Sequence, residues 1–376
     1  MKFSQIPGLE ETKKVLIKSV HDGHIAHAQL FLGQEGSANL ALALAYATFI
    51  NCTDKKSDDA CGQCDSCRKF DKLVHPDLHF VFPTASAKGI TKRSEAISDR
   101  FLPEWREFLQ QHPYSGLYDW TSFFGAENKQ AMIPKEESRS IVKALSMKAF
   151  EAEYKVMLIW LPELMQAPAA NAILKILEEP PSKTLFLLVS NDANGLLTTI
   201  LSRTQIVKVR NFRDEEIAQY LQEERDVDPV RAQQVAYLSN GSMLEALHNY
   251  DEVADESEKF FKLWMRACFK LDLTDLIINL TENFNKLGKE AQKKLFLYAL
   301  NIFRESMMWK FTGEQVSRLG GEQKTFVENF SKVLHDRNLP NLVNLFNEAH
   351  YHIERNANPK ITFLYLSIET ARAFRQ

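Results

Sequence analysis

Lys155-Val-Met-Leu-Ile-Trp-Leu-Pro-Glu163, Ala170-Asn-Ala-Ile-Leu-Lys-Ile-Leu-Glu-Glu-Pro-Pro181, Thr184-Leu-Phe-Leu-Leu-Val-Ser190 and Ile200-Leu-Ser-Arg-Thr204 follow one another along the chain. Val156–Ile159 and Leu185–Val189 are unbroken apolar runs, the mark of strands buried on both faces of a parallel sheet. Between them, Asn171–Glu179 reads as a helix that stops at Pro180-Pro181, because proline cannot continue it. Leu196–Leu201 reads as a short helix and Gln205–Val209 as a last strand. Strands alternating with helices imply an α/β core with a parallel sheet.

Working upstream, Gln29-Leu-Phe-Leu32 reads as a buried strand and Leu40–Ile50 as an alanine-rich helix. The turn between them is Gly33-Gln-Glu-Gly-Ser-Ala-Asn-Leu40. A phosphate loop in this context needs Gly-x4-Gly-Lys-Ser/Thr: the lysine neutralises phosphate charge and the hydroxyl ligates magnesium. Ala38, Asn39 and Leu40 occupy those three positions. Asn39 carries no charge and Leu40 cannot bind a metal. Gly33 and Gly36 keep the turn, so the sequence keeps the fold of such a loop and loses its grip.

Four of the five cysteines fall at Cys52, Cys61, Cys64 and Cys67. In a reducing compartment this spacing reads as metal binding before disulfide. Four thiolates close a tetrahedral shell around zinc and leave no open position for a substrate water. Gly62 permits the tight turn between two ligands. An iron–sulfur cluster and unliganded thiols are the competing readings. His75 and His79, in His-Pro-Asp-Leu-His, read as turn and strand-edge residues, and Cys268 as a core residue of a helix.

Taken together, these stretches resemble the clamp-loader branch of the AAA+ ATPases. Ile6-Pro-Gly-Leu9 and His24-Ile-Ala-His27-Ala match that family's opening segments. The resemblance implies that the first long strand should end in an Asp-Glu pair, where this chain has Trp160 and Leu161. Glu163, past Pro162, stands where the family has a second, non-catalytic acid. Gly241-Ser-Met-Leu-Glu-Ala-Leu247 resembles the second sensor motif, with Leu244 in place of its arginine. Arg203 keeps the Ser-Arg position from which the family reaches into a neighbour's active site, although Thr204 replaces the usual cysteine. The resemblance implies a subunit without ATPase activity or a working ATP site, carrying one structural zinc. It would lend Arg203 to a gamma/tau-type ATPase subunit beside it. Its further implied partners are a delta subunit and, through the complex, the sliding clamp and primed DNA. An active AAA+ motor and a zinc-containing nucleic-acid-binding protein are the alternatives.

The implied organisation is an AAA+ core over 1–211, a small helical lid over 212–250 and a helical collar for oligomerisation over 251–376. In the lid, Asp214 is placed to cap the first helix. The core carries the cysteine module at 52–67 and an insertion at 84–132 rich in aromatics: Phe101, Trp105, Phe108, Tyr114, Tyr118, Trp120, Phe123 and Phe124. Basic residues are few there, which favours a helical pair packed on the core over a stacking platform for single strands. In the collar, Leu295, Tyr298, Ala299, Ile302, Phe303 and Met307 recur at helical spacing and mark a buried face. A net charge of −3 argues against a protein that coats nucleic acid. No run of about 18 apolar residues suggests a membrane span, and the first residues lack an apolar signal core, so a cytoplasmic location is expected.

Overall fold

The apolar runs pair side by side. Ala28–Leu32 (β1), Leu78–Val81 (β2), Lys155–Trp160 (β3), Thr184–Ser190 (β4) and Gln205–Lys208 (β5) form one sheet in the order β2-β3-β4-β1-β5. Every pairing is parallel. The computed structural model describes all residues except 88–89, 91–94, 128, 147, 252–254, 273, 313–320, 336 and 376. Every residue of β3 and β4 is buried, as the absence of polar alternation requires. The register sets Leu158 beside Leu187 and Leu30 beside Leu188. One face packs Met157, Ile159, Phe186 and Leu188 against Ile173 and Leu177 of the helix Ala167–Glu178. The helix Asn39–Ile50 is buried along its whole length. This is the α/β core expected of an AAA+ module, followed by a helical C-terminal region.

The chain divides into two compact units, Met1–Leu247 and His248–Gln376. In the first unit the helix after β3 begins at Ala167, four residues before the sequence expectation. Pro168 sits in its first turn, where a missing N–H costs nothing. Asp214 is not the cap of its helix. Arg213 occupies the cap position, and the Glu216 carboxylate accepts its amide N–H at 2.8 Å. The acidic side chain three residues on reaches the free amide better than a side chain already inside the first turn.

The insertion folds as a pair of helices, Leu102–Gln111 and Leu117–Phe123. Most of their aromatics point inward: Trp105, Phe108 and Trp120 are fully buried, Trp120 Nε1 donates to Pro83 O at 2.8 Å, and Tyr118 is exposed. Trp105 stacks on Phe82 with ring centroids 4.2 Å apart. They are core, not a platform. In His-Pro-Asp-Leu-His, His75 lies in the turn before β2 and His79 within it. Between them, buried Asp77 accepts the N–H groups of Phe150, Glu151 and Ala152 at 2.6–2.8 Å. Burial alone would raise its pKa, but these three bonds outweigh it and hold the carboxyl below its ordinary range.

In the second unit, Leu295, Ala299, Ile302 and Phe303 are buried on the helix Lys289–Thr312, with Tyr298 and Met307 half-buried. Trp264 donates to Ser367 Oγ at 2.8 Å, and Cys268 is a fully buried core residue whose thiol burial pushes up. Asn358 caps the helix Pro359–Ala373 through the amides of Lys360 and Ile361. Among the described residues, no helix is long and apolar enough to cross a membrane.

Glu137 is the buried acid that ties the insertion's first segment to the core. It accepts the Ser98 N–H at 2.8 Å, and Ser98 Oγ accepts the Phe82 N–H beyond the end of β2. Burial pushes its pKa up to about 7, against the pull of the Ser98 bonds. The unfolded chain releases this proton in the ordinary carboxyl range, so between there and pH 7 the folded state binds more protons and stability falls as pH rises. Glu137→Gln should match the wild type at pH 4 and exceed it by about 1–3 kcal/mol at pH 8. Urea unfolding at the two pH values measures this, and an equal effect at both would contradict it.

Candidate functional site

The turn after β1 is held by its surroundings. Gly33 N donates to Ser190 O at 3.3 Å, which ties the turn to the end of β4. Gly36 has φ +82, a conformation glycine adopts without strain. Asn39, 5% exposed, turns inward: its Nδ2 donates to Ser190 O at 3.2 Å and to Asn191 Oδ1 at 3.0 Å. Ala38 and Leu40 are buried. The Asn39 amide is thus held by the end of the adjacent strand.

Two other segments close on the same turn. Met243 N donates to Gly36 O at 2.9 Å, and a Cβ on Gly36 would lie 2.0 Å from Ser242 Oγ and 2.9 Å from Leu244 Cβ. From the insertion, Leu117 N donates to Glu35 Oε1 at 3.3 Å, and a Cβ on Gly116 would lie 2.0 Å from the same oxygen. Residues 34–36 are therefore engaged by parts of their own unit.

At the end of β3, Trp160 is 2% exposed and meets Trp105 with ring centroids 5.0 Å apart. Leu161 follows with φ 53, buried, and its N–H donates to Val189 O at 2.8 Å. The end of β3 is thus packed against the aromatic cluster of the insertion. Glu163 braces the neighbouring turn. Its Oε1 accepts the Asn191 N–H at 3.0 Å, while burial raises its pKa.

Arg203 stands on the turn after the short helix Thr198–Leu201, with its N–H donating to Ile200 O at 3.1 Å. Its side chain is partly exposed and paired with Glu178, the last residue of the helix Ala167–Glu178. The Nε donates to Glu178 Oε1 at 3.0 Å, Nη2 to the same oxygen, and Nη1 to Thr199 O at 3.0 Å. Leu197 and Ile206, in the same segment, are 40% and 45% exposed. The sequence pattern places Arg203 at the surface but assigns no role to Glu178. A signal for it exists in Glu178-Glu-Pro-Pro181, where the proline stop leaves an acid on the last helical turn.

The four cysteines come together. Their sulfurs all lie within 4.8 Å of one another, with Cys52–Cys64 at 4.0 Å and Cys61–Cys67 at 3.9 Å. Tetrahedral zinc with bonds of about 2.3 Å requires sulfurs about 3.8 Å apart, so the donors fit. Gly62 has φ +72 and makes the turn. The amides of Gln63 and Cys64 donate to Cys61 Sγ at 3.3 Å and lower that thiol's pKa. Burial opposes ionisation of Cys64, but hydrogen bonds from Thr53 and the Cys67 amide outweigh it and bring the thiol to about 6. Burial pushes Cys52 and Cys67 up. Two thiols are thus prepared for ionisation, and a cation would supply the charge that the other two need. The group could hold a metal ion such as zinc. His75 and His79 are not in it.

The family described as DNA polymerase III, delta subunit, matches residues 8–213. DNA polymerase III subunit delta' of Bacillus subtilis (strain 168) is 28% identical over 253 residues, 67% of this chain and 62% of that protein. Subunit tau of the same organism is 22% identical over 384 residues, 96% of this chain and 60% of that protein. The chain thus spans about six tenths of the length of these curated relatives. A gamma subunit-related protein of Thermotoga maritima is a looser structural neighbour, with a TM-score of 0.36 at 16% identity over 96% of this chain and all of that one.

Elemental analysis of the purified protein should find one zinc per chain. Its removal by a chelator should lower the thermal midpoint, and Cys64→Ser should abolish stoichiometric binding. A metal-free protein of unchanged midpoint would refute the assignment.

Proposed function

This chain belongs to the DNA polymerase III delta-subunit family of clamp-loader proteins, and we propose that within it the chain hydrolyses no ATP itself and completes a neighbour's ATPase site with Arg203. On this reading it is a subunit of the delta-prime type, a cytoplasmic stator in the replicative clamp loader. It works beside gamma/tau-type ATPase subunits and a delta subunit, and through the complex it serves the sliding clamp and primed DNA. Residues 1–211 act as the core, 212–250 as the lid and 251–376 as the oligomerisation collar. The zinc held by Cys52, Cys61, Cys64 and Cys67 is structural, because four thiolates leave no open coordination position.

One observation carries the reading. Residues 34–36 are engaged from two sides by Leu117 and by Ser242–Leu244, while Arg203 remains at the surface. Phosphate binding by a glycine-rich turn needs a cation and open backbone N–H groups. Asn39 supplies no cation, and the space over Gly36 holds Ser242 and Leu244. Magnesium needs oxygen ligands, and Trp160 and Leu161 offer none. An arginine delivered across an interface, by contrast, needs only a surface position and a partner. It stabilises the charge that builds on a transferring phosphoryl group.

The second reading is a gamma/tau-type motor, since a tau subunit matches 96% of the chain. Asn39, Leu40, Trp160 and Leu244 weigh against it.

Arg203→Ala should leave the fold intact and lower the DNA-stimulated ATPase of the reconstituted complex by at least about tenfold, within the range fingers contribute. Unchanged turnover would sink the finger role. Asn39→Lys combined with Leu40→Thr should produce no ATPase in the isolated chain, because the end of β3 still cannot hold magnesium. Detectable turnover above a blank would overturn that argument.

A further inference from the structure

We propose that Glu178 is a positioning residue for Arg203. It holds the guanidinium in the free chain and gives it up to the phosphates of the neighbouring subunit's nucleotide. This rests on the reading of Arg203 as an interface arginine.

A guanidinium has five N–H donors in a fixed fork. In this chain Nε and one N–H of Nη2 go to Glu178 Oε1, and Nη1 reaches Thr199 O at 3.0 Å and Ser202 Oγ at 3.3 Å. A single N–H, on Nη2, is left over. Bidentate capture of a phosphate takes two adjacent N–H groups of the fork. The arginine therefore cannot engage a phosphate in that way without releasing a bond it now makes. Glu178, which holds two of the four bonds and carries the opposing charge, is the competitor.

The placement of Glu178 supports a transient partner. It ends the helix Ala167–Glu178, where the helix dipole disfavours a carboxylate. Arg203 offsets that charge in the free chain. The pair is open to water, with side-chain exposures of 31% for Arg203 and 50% for Glu178, so it is screened and exchangeable. The base of the side chain is fixed, since Thr204 Oγ1 donates to Ile200 O at 3.1 Å and Arg203 N to the same carbonyl. Only the guanidinium has to swing. Leu197 and Ile206 present exposed apolar surface in the same segment, as a contact with a second chain would use. Glu178 thus keeps a long side chain from wandering before assembly and sets a threshold that only a more highly charged acceptor crosses.

The test uses the reconstituted complex with its ATPase partners, clamp and primed DNA. Glu178→Gln keeps the size and an acceptor oxygen but removes the competing charge. Because an exposed pair competes by at most about fivefold in an equilibrium, kcat/KM for ATP should rise about two- to fivefold, mainly through KM. A damaged surface would lower kcat/KM, so a rise separates positioning from a structural role. The double variant Glu178→Gln with Arg203→Ala should behave as Arg203→Ala alone, because Glu178 acts through the arginine. Unchanged or lowered kcat/KM in Glu178→Gln, or a double variant that differs from Arg203→Ala, overturns the proposal. Arg203→Ala by itself judges the underlying reading. If it lowers turnover while Glu178→Gln raises nothing, only the role of Glu178 falls.

Discussion

Parallel pairing of β1 with β4, in the register that sets Leu32 beside Ser190, is the constraint on which the rest of the first unit depends. It brings the glycine turn after β1 against the Ser190–Asp192 turn, and Gly33, Asn39 and Asn191 lock the two by hydrogen bonds. The next pairing sets Trp160 beside Val189, so the end of β3 faces the same edge. In open α/β sheets ligands bind at this carboxyl edge. Here other parts of the unit pack against this edge. Ser242–Leu244 close on Gly36, Leu117 on Glu35, and Trp105 on Trp160.

On the proposed reading, the residues at this edge form one physical change. A site for a metal–triphosphate needs uncompensated donors and charges held open to solvent, which is costly in a protein interior. On the proposed reading, Asn39, Leu40, Trp160 and Leu161 stand where such a site would carry a lysine, a hydroxyl and two acids, and they supply none of those groups. What remains is packing and paired amides. Three acids of the first unit are turned to backbone amides: Glu163 to Asn191, Glu137 to Ser98 and Asp77 to residues 150–152. Burial raises Glu137 and Glu163 against the pull of their hydrogen bonds, whereas the amides of residues 150–152 outweigh burial and hold Asp77 down. The balance between desolvation and hydrogen bonding decides each sign.

The surface arginine and the cysteine module lie outside this packed edge. The thiol cluster staples the loop between the helix Asn39–Ile50 and the short helix Asp65–Asp71. A metal shell there would do what a small apolar core cannot, since few buried apolar side chains lie within residues 52–67. Arg203 is held by the 199–204 turn and by the end of one helix, at a partly exposed position.

Strands β1, β3 and β4, the clustering of the four cysteines and the turn bearing Arg203 were legible in the sequence. Each is a matter of local period or fixed spacing, which neighbouring residues along the chain determine. The cap at Arg213 and the early start at Ala167 were not, because single side chains such as Glu216 and Pro168 shift a boundary without changing the period. Nor were the contacts that give the site its character. Ser242 meets Glu35 across 207 residues, Leu117 meets it across 82, and Glu178 meets Arg203 across 25. Such pairs exist only once the sheet has set its register and the helices have packed upon it. The sequence alone determined the strands and the cysteine spacing; the tertiary structure decided what packs on the turn after β1 and what holds the arginine, because long-range packing carries no local signal.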